Sequence, residues 1–457
     1  MTSNPTQKRE TQLEQLLEFL CIPSVSTDSA YKSDVRRAAE WLVTELEQQG
    51  FKAQLFDTPK HPVVFAEYRV DDALPTVLVY GHYDVQPPDP EDLWDSPPFD
   101  PVVTENEVIA RGASDDKGQV YAHVKGAEAV IAETGTLPVN LKFIIEGEEE
   151  IGSPNLTPFI EEHRALLAAD IVLISDGAMI APETPTVTYG LKGLAYVEVR
   201  VKGADLDLHS GAYGGGVPNP INGLAKMIAL LHDENGRVTV PGFYDAVLEL
   251  TAEEREAFER VPFDESEFAR GIGVSATPGE EAYGLLERLW ARPTLDANGI
   301  GGGFQGEGAK TVIPSEASAK ISCRLVPNQD PADITQKLST FLKENAPMGL
   351  KVSVTDLHGG MPALTPLDSP AVQAAAEALE KVFSKETIFA RTGGTIPVVS
   401  TFQKLLEADV VLVGFGNQDD RIHSPNEKFD LASYYKGIEA SAALLSAFAE
   451  LSPKDLG

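Results

Sequence analysis

A chain of 457 residues, 42% hydrophobic and 23% charged, is long enough for two to four domains of roughly 150 residues and has the balance of a globular protein with a large core. Its 70 acidic residues against 37 basic ones leave a formal charge of −33, which excludes the basic surface needed to bind a phosphate backbone or an anionic membrane. Two cysteines, Cys21 and Cys323, make no metal-type Cys-x-x-Cys pair and no disulfide framework; with no apolar leader and no run near the roughly 18 residues of a membrane span, the expectation is a soluble cytoplasmic protein without nucleic-acid or membrane partners.

In chain order, "DVRRAAEWLVTELEQQG" (34–50) puts Val35, Ala38, Ala39, Leu42 and Leu46 on one helical face, with Gly50 as the stop. "PVVFAEYRV" and "TVLVY" read as strands. "GQVYAHVKGAEAVIAETG" reads as a helix with Val120, Val124, Ala127 and Ile131 inward. "VNLKFII" is a strand, "LTPFIEEHRALLA" a helix and "DIVLIS" a strand. This alternation predicts an α/β layer with a mainly parallel sheet. Near residue 188 the pattern changes. "LAYVEVRVKG" alternates as a half-exposed strand does, and Asn219 caps a helix with Pro220 at its first position. "AKISCRLVP", "PADITQKLSTFLKE", "LKVSVTDL" and "AVQAAAEALEKVF" continue as strand, helix, strand, helix; "ADVVLVGFG" returns to the first type. The predicted organisation is an α/β domain over 1–187 and 389–457, interrupted by an α+β domain over 188–388. Residues 233–300 give the weakest pattern.

The titratable residues gather where strands end. His82 and Asp84 follow "TVLVY", Glu149 and Glu150 follow "VNLKFII", Asp176 follows "DIVLIS", and His423 follows "ADVVLVGFG". Asp115 stands ahead of a helix. In open α/β sheets, ligands bind at the carboxyl ends of the strands. Alternation along an extended chain lets His82 and Asp84 converge, the relation of a metal-bound imidazole to the carboxylate behind it. If extended, Glu149 and Glu150 point apart, so one can bind metal while the other faces a reacting water. Carboxylates gathered at one edge repel unless cations join them. Two divalent ions carry +4; Asp115, Glu150 and Asp176 supply −3, and a bridging hydroxide completes neutrality with His82 and His423 as neutral donors. That mixed N/O set suits Zn2+, or Mn2+ or Co2+.

The segments "GHYDVQP", "RGASDDKG", "EGEEEIGS", "SDG", "DLHSGAYGG", "GAKTVIP", "SCRLVPNQ", "RTGGTIP" and "HSPNEK", in this order over residues 10–450, resemble the di-zinc metallopeptidase family of aminoacylases, desuccinylases and glutamate carboxypeptidase, nearest its cytosolic dipeptidase and carnosinase branch. The resemblance implies a zinc-exopeptidase-like catalytic domain and a ferredoxin-like lid that mediates dimerisation. It assigns His82 and Asp176 to one metal, Glu150 and His423 to the other, and Asp115 to both, with a cis peptide after Asp115. Asp84 would orient His82, and Glu149 would be the general base for a metal-bridging hydroxide. His209 would reach the partner subunit's site and stabilise the oxyanion. Thr311 and Arg324, with His358 nearby, would bind the substrate's carboxylate end. Arg391 is retained, and Gly394 stands where the branch often has a serine. The implied activity is hydrolysis of a dipeptide or short peptide with a free C-terminus. Rival readings are an N-acyl-amino-acid deacylase or carbamoylase, a C-terminal exopeptidase, or a non-catalytic binding protein of the same fold.

Overall fold

A computed structural model describes residues 5–452. The chain divides into two compact units, the first running to Tyr189 and taking up Thr365–Ala390 and the chain from Val398, the second comprising Gly190–Leu364 and Arg391–Pro397.

The first unit is built on one mixed sheet. Its strands lie in the order Lys52–Phe56, Val63–Tyr68, Asn140–Glu146, Thr76–His82, Ile171–Ile174, Asp409–Val413 and Thr186–Leu191. The four central strands, Asn140–Glu146 to Asp409–Val413, are mutually parallel. Their near-continuous burial is what a sheet covered on both faces requires. Register aligns His82 with Glu146, Tyr80 with Ile174, and Leu412 with Ile174. The four carboxyl ends therefore finish level, on one edge.

The expected helix at 34–50 spans Lys32–Gln48, buries Val35, Ala38, Ala39, Leu42 and Leu46, and is followed by Gly50 in the left-handed region. Each such fully buried Leu or Val side chain contributes about 1.5–3 kcal/mol. The helix Lys117–Thr134 buries Val120, Val124 and Ala127, with Ile131 partly covered. It starts against the strand that ends in His82: a Cβ on Gly81 would lie 2.7 Å from both Asp116 Oδ2 and Val120 Cγ2, so the close approach needs glycine. The segment 156–168 is broken at His163 into Leu156–Glu162 and Arg164–Leu167; the His163 ring packs on Phe56 and Phe159.

The second unit carries a four-stranded antiparallel sheet in the order Thr294–Gly302, Glu316–Leu325, Gly193–Lys202, Lys351–Gly360. Alternate residues Val197, Val199 and Val201 face a core shared with the helices Pro220–Ala229 and Pro331–Glu344. Asn219 caps the first of these, with Pro220 next.

The division differs from the expected one at its C-terminal boundary. The helix Pro370–Phe383, which the sequence pattern placed with the insertion, buries Ala371, Val372, Ala375, Ala376 and Leu379 in the core of the first unit. Periodicity reveals an apolar face but not which core receives it. Ahead of the strand Thr294–Gly302, residues 243–293 contain three short helices, Ala252–Glu259, Glu265–Gly271 and Leu285–Trp290, with a buried Arg292–Glu280 pair beside them. Among the described residues, no helix is long and apolar enough to cross a membrane.

Candidate metal centre

The level strand ends, with the loops that carry Asp115 and His423, bring five predicted ligands together. One donor atom each of His82, Asp115 and Asp176 lie within 4.8 Å of one another, and so do those of Asp115, Glu150 and His423. Asp115 belongs to both groups. Its Oδ1 is 3.1 Å from His82 Nε2, and its Oδ2 is 2.8 Å from His423 Nε2. Glu150 Oε2 is 3.3 Å from His423 Nε2. The peptide between Asp115 and Asp116 is cis, as the resemblance implied.

His82 shows how the set is prepared for a cation. Its Nδ1 is 3.0 Å from the Asp84 carbonyl, which can only accept, so Nδ1 carries the proton. In the neutral ring Nε2 is then a lone pair aimed at a carboxylate oxygen, an arrangement that requires a proton or a metal between them. The Asp84 carboxylate is 3.4 Å from Nδ1, and it also accepts from the amides of Glu149 and Glu150 at 3.2 and 3.1 Å. Asp84 therefore fixes His82 and the turn of the two glutamates together. That turn, Glu149–Ile151, is a 3-10 helix, so the extended geometry considered for the glutamate pair does not apply.

Electrostatics points the same way. Burial opposes protonation of His82, yet hydrogen bonds to Asp115 and Asp84 raise it well above its usual value. Hydrogen bonds to Asp115 and Glu150 raise His423 to about 10. Burial, then the Asp115 charge, pushes Asp176 up to about 7. Burial, with the charges of Asp176, Glu150 and Asp115 outweighing His82, lifts Glu149 well above the carboxylate range. The protein thus supplies too little positive charge here for its acids. The nearby Lys117 ammonium instead donates to the carbonyls of Phe19 and Ile22. Glu150 Oε1 is buried with no hydrogen-bond partner among the described residues. The donor set, the lone pair of His82 and this orphaned oxygen all fit two divalent cations, which would keep the carboxylates ionised.

Other residues at this edge escaped the sequence reading. Gln86 in "GHYDVQP" donates to Glu150 Oε2 at 2.7 Å. The acid run "EGEEE" divides its labour: Glu146 accepts from Tyr80 and Ser153, and Glu148 accepts from Thr58, the His61 amide and Asn155. Asp116 accepts from the His82 amide. Such roles are set by partners distant in sequence, so local spacing carries no sign of them.

The predicted substrate residues lie in the second unit. His209 is exposed, and its Nδ1 accepts from Gly211 N at 3.0 Å, which leaves Nε2 as the donor in the neutral ring. Thr311 is its neighbour, since Ser210 N donates to the Thr311 carbonyl. Arg324 Nη1 donates to Thr395 Oγ1 at 2.9 Å, so the hydroxyl beside Arg324 comes from the residue after Gly394. His358 meets Tyr196 edge-on, and the Gly394 carbonyl accepts from Lys192 N. Arg391 is buried and ion-paired with Glu254, a partner from the weakly patterned region.

Comparison with known proteins is consistent with this geometry. Residues 78–447 match the sequence profile described as "Peptidase family M20/M25/M40". A Cys-Gly metallodipeptidase of Schizosaccharomyces pombe is 33% identical over 98% of this chain and 97% of its own. Human Beta-Ala-His dipeptidase is 36% identical over 86% and 78% of the two chains. The crystal structure of an M20 family metallo-carboxypeptidase from Sulfolobus solfataricus superposes with a TM-score of 0.86 at 36% identity, covering 96% of this chain and 99% of that one.

Proposed function

The chain belongs to peptidase family M20/M25/M40, and from that premise we propose that it is a metal-dependent dipeptidase working through two cations, Glu149 as general base and a free substrate carboxylate held by Arg324. One observation carries the reading: the two oxygens of Asp115 face a histidine of each cluster, at 3.1 and 2.8 Å. His82, Asp115 and Asp176 would hold one ion, and Asp115, Glu150 and His423 the other. Zinc suits these nitrogen and oxygen donors, with manganese and cobalt as substitutes.

When bound, the ions polarise the scissile carbonyl and make water a nucleophile at neutral pH. The protein does the rest. Glu149, positioned through its amide by Asp84, takes the proton of the attacking water and returns it to the leaving amine. His209 Nε2–H donates to the oxygen that becomes negative. Arg324 offers its remaining N–H groups as a fork for the substrate carboxylate, a charge-assisted pair that Lys could not reproduce. The exposure of His209 supports its acting in the partner subunit of a homodimer. The free thiols of Cys21 and Cys323 suit a reducing cytoplasm.

The test is a panel of dipeptides, longer peptides and N-acetyl amino acids, assayed after chelation and after return of zinc, manganese or cobalt. Metal-dependent cleavage concentrated in dipeptides is expected. Preference for long peptides with release of the C-terminal residue would make the protein a carboxypeptidase, and preference for N-acetyl amino acids a deacylase; either result rejects the dipeptidase assignment.

A further inference from the structure

We propose that Glu427 is a positioning residue that sets Asp115 astride the two ligand clusters, with Arg111 as its counter-charge; this rests on the reading of Asp115 as the shared ligand.

Glu427 is fully buried, four residues after His423. Its Oε1 accepts from the amides of Ser114 and Asp115, both at 3.0 Å, and its Oε2 accepts from the Gly112 amide at 2.9 Å and from Arg111 Nη1 at 2.8 Å. Its own carbonyl accepts from Ala110 N at 3.0 Å. One side chain thus receives three amides of the loop that ends in Asp115, from 312 residues away in sequence. Next to it, the strand Lys428–Asp430 pairs antiparallel with Glu107–Ile109, closing the same two segments side by side.

Arg111 extends the arrangement to a third segment. Its Nη2 donates to the Pro87 carbonyl at 3.2 Å, and its guanidinium lies over the Trp94 ring at 5.4 Å. The segment after His82, the loop of Asp115 and the loop of His423 therefore meet at one buried ion pair. A carboxylate is the group this place requires. It has acceptors on both oxygens, whereas an amide would turn an N–H2 toward Gly112 N–H and Arg111, which also donate. The pair is neutral overall, so it orders the loops without adding charge to an edge already crowded with acids. A shift of the Asp115 amide moves both of its oxygens, and hence both clusters, at once.

The metal-free wild type, Glu427→Gln and Glu427→Asp are titrated with Co2+ alone, following the visible absorption of the bound ion and the number of ions retained on dialysis. The wild type is expected to bind two Co2+. In Glu427→Gln both equivalents are expected to weaken together by about 10–100-fold, with an altered absorption band, and Glu427→Asp to fall between. A folded Glu427→Gln with wild-type affinity and spectrum overturns the proposal. Weakening of one equivalent alone also overturns it, because that places the role in the His423 loop only. If Glu427→Gln does not fold, Glu427→Asp and Arg111→Lys serve in its place; unchanged Co2+ affinity and spectrum in both overturn the proposal, and joint weakening supports it. A wild type that binds fewer than two Co2+ refutes the shared-ligand reading itself, so the two failures are told apart.

Discussion

The two units hold most of their functional side chains in opposite ways. At the sheet edge of the first, His82 and Asp84 are fully buried, and three of the five ligands have a partner that fixes them: Asp84 for His82, Gln86 for Glu150, Glu427 for the Asp115 backbone; His423, by contrast, stands on an exposed loop. In the second, His209, Thr311, His358 and Gly394 are exposed, on a short strand, an edge strand and loops, and only Arg391 is buried, by its pair with Glu254. Preorganised chemistry demands fixed side chains, and burial with hydrogen-bonded partners beside the strand ends fixes these three. Groups that meet a substrate can stand open until it arrives.

The sharpest way to break this contrast is to remove the base. Glu149→Ala should lower kcat by about 10²–10⁴-fold while the protein retains its two ions, because Glu149 is assigned no metal. Retained turnover would dismiss it as the base, and lost metal would make it a ligand. The next effect belongs to the exposed set. His209→Ala should cost about 10²–10³-fold in kcat. Mixing inactive His209→Ala with inactive Glu149→Ala subunits, after dissociation, should restore part of the activity. Verified heterodimers that stay inactive would place His209 within its own subunit's chemistry. Arg324→Ala should raise KM about 10–100-fold for dipeptides with a free carboxylate and far less for their amides. Equal changes for both would remove the anchor.

The smallest effect isolates what burial does to a histidine that is assigned no metal. His123 bridges Ser441 and Ser175, and burial lowers it to about 3. The folded state keeps the ring neutral, while the unfolded chain takes up a proton below about pH 6.5. The stability this gives is complete above that pH and is lost as pH falls toward 3. By pH 5.5 the loss is roughly tenfold in the folding equilibrium. Urea unfolding between pH 7.5 and about 5.5 should show a gentler slope in His123→Asn; an unchanged slope would assign the acid sensitivity elsewhere.

What could be read from the sequence follows the same contrast. Buried parallel strands announce themselves as apolar runs, so a histidine or acid in the segment that follows each one was visible as a possible ligand. The helix Pro370–Phe383 was visible as a helix but not as part of the first core, because an apolar face does not name its partner. Glu427, Gln86 and the separate duties within "EGEEE" were hidden, since their meaning lies in amides and hydroxyls brought from elsewhere by the fold. Arg391 was legible only through the family resemblance, and its pairing with Glu254 was not legible at all, because that partner comes from the region of weakest pattern.

Anomalous diffraction from crystals grown with zinc bears most directly on the central claim. Two peaks per chain are expected, one among His82, Asp115 and Asp176 and one among Asp115, Glu150 and His423, with Asp115 touching both. A single peak, or two peaks that share no ligand, would contradict it.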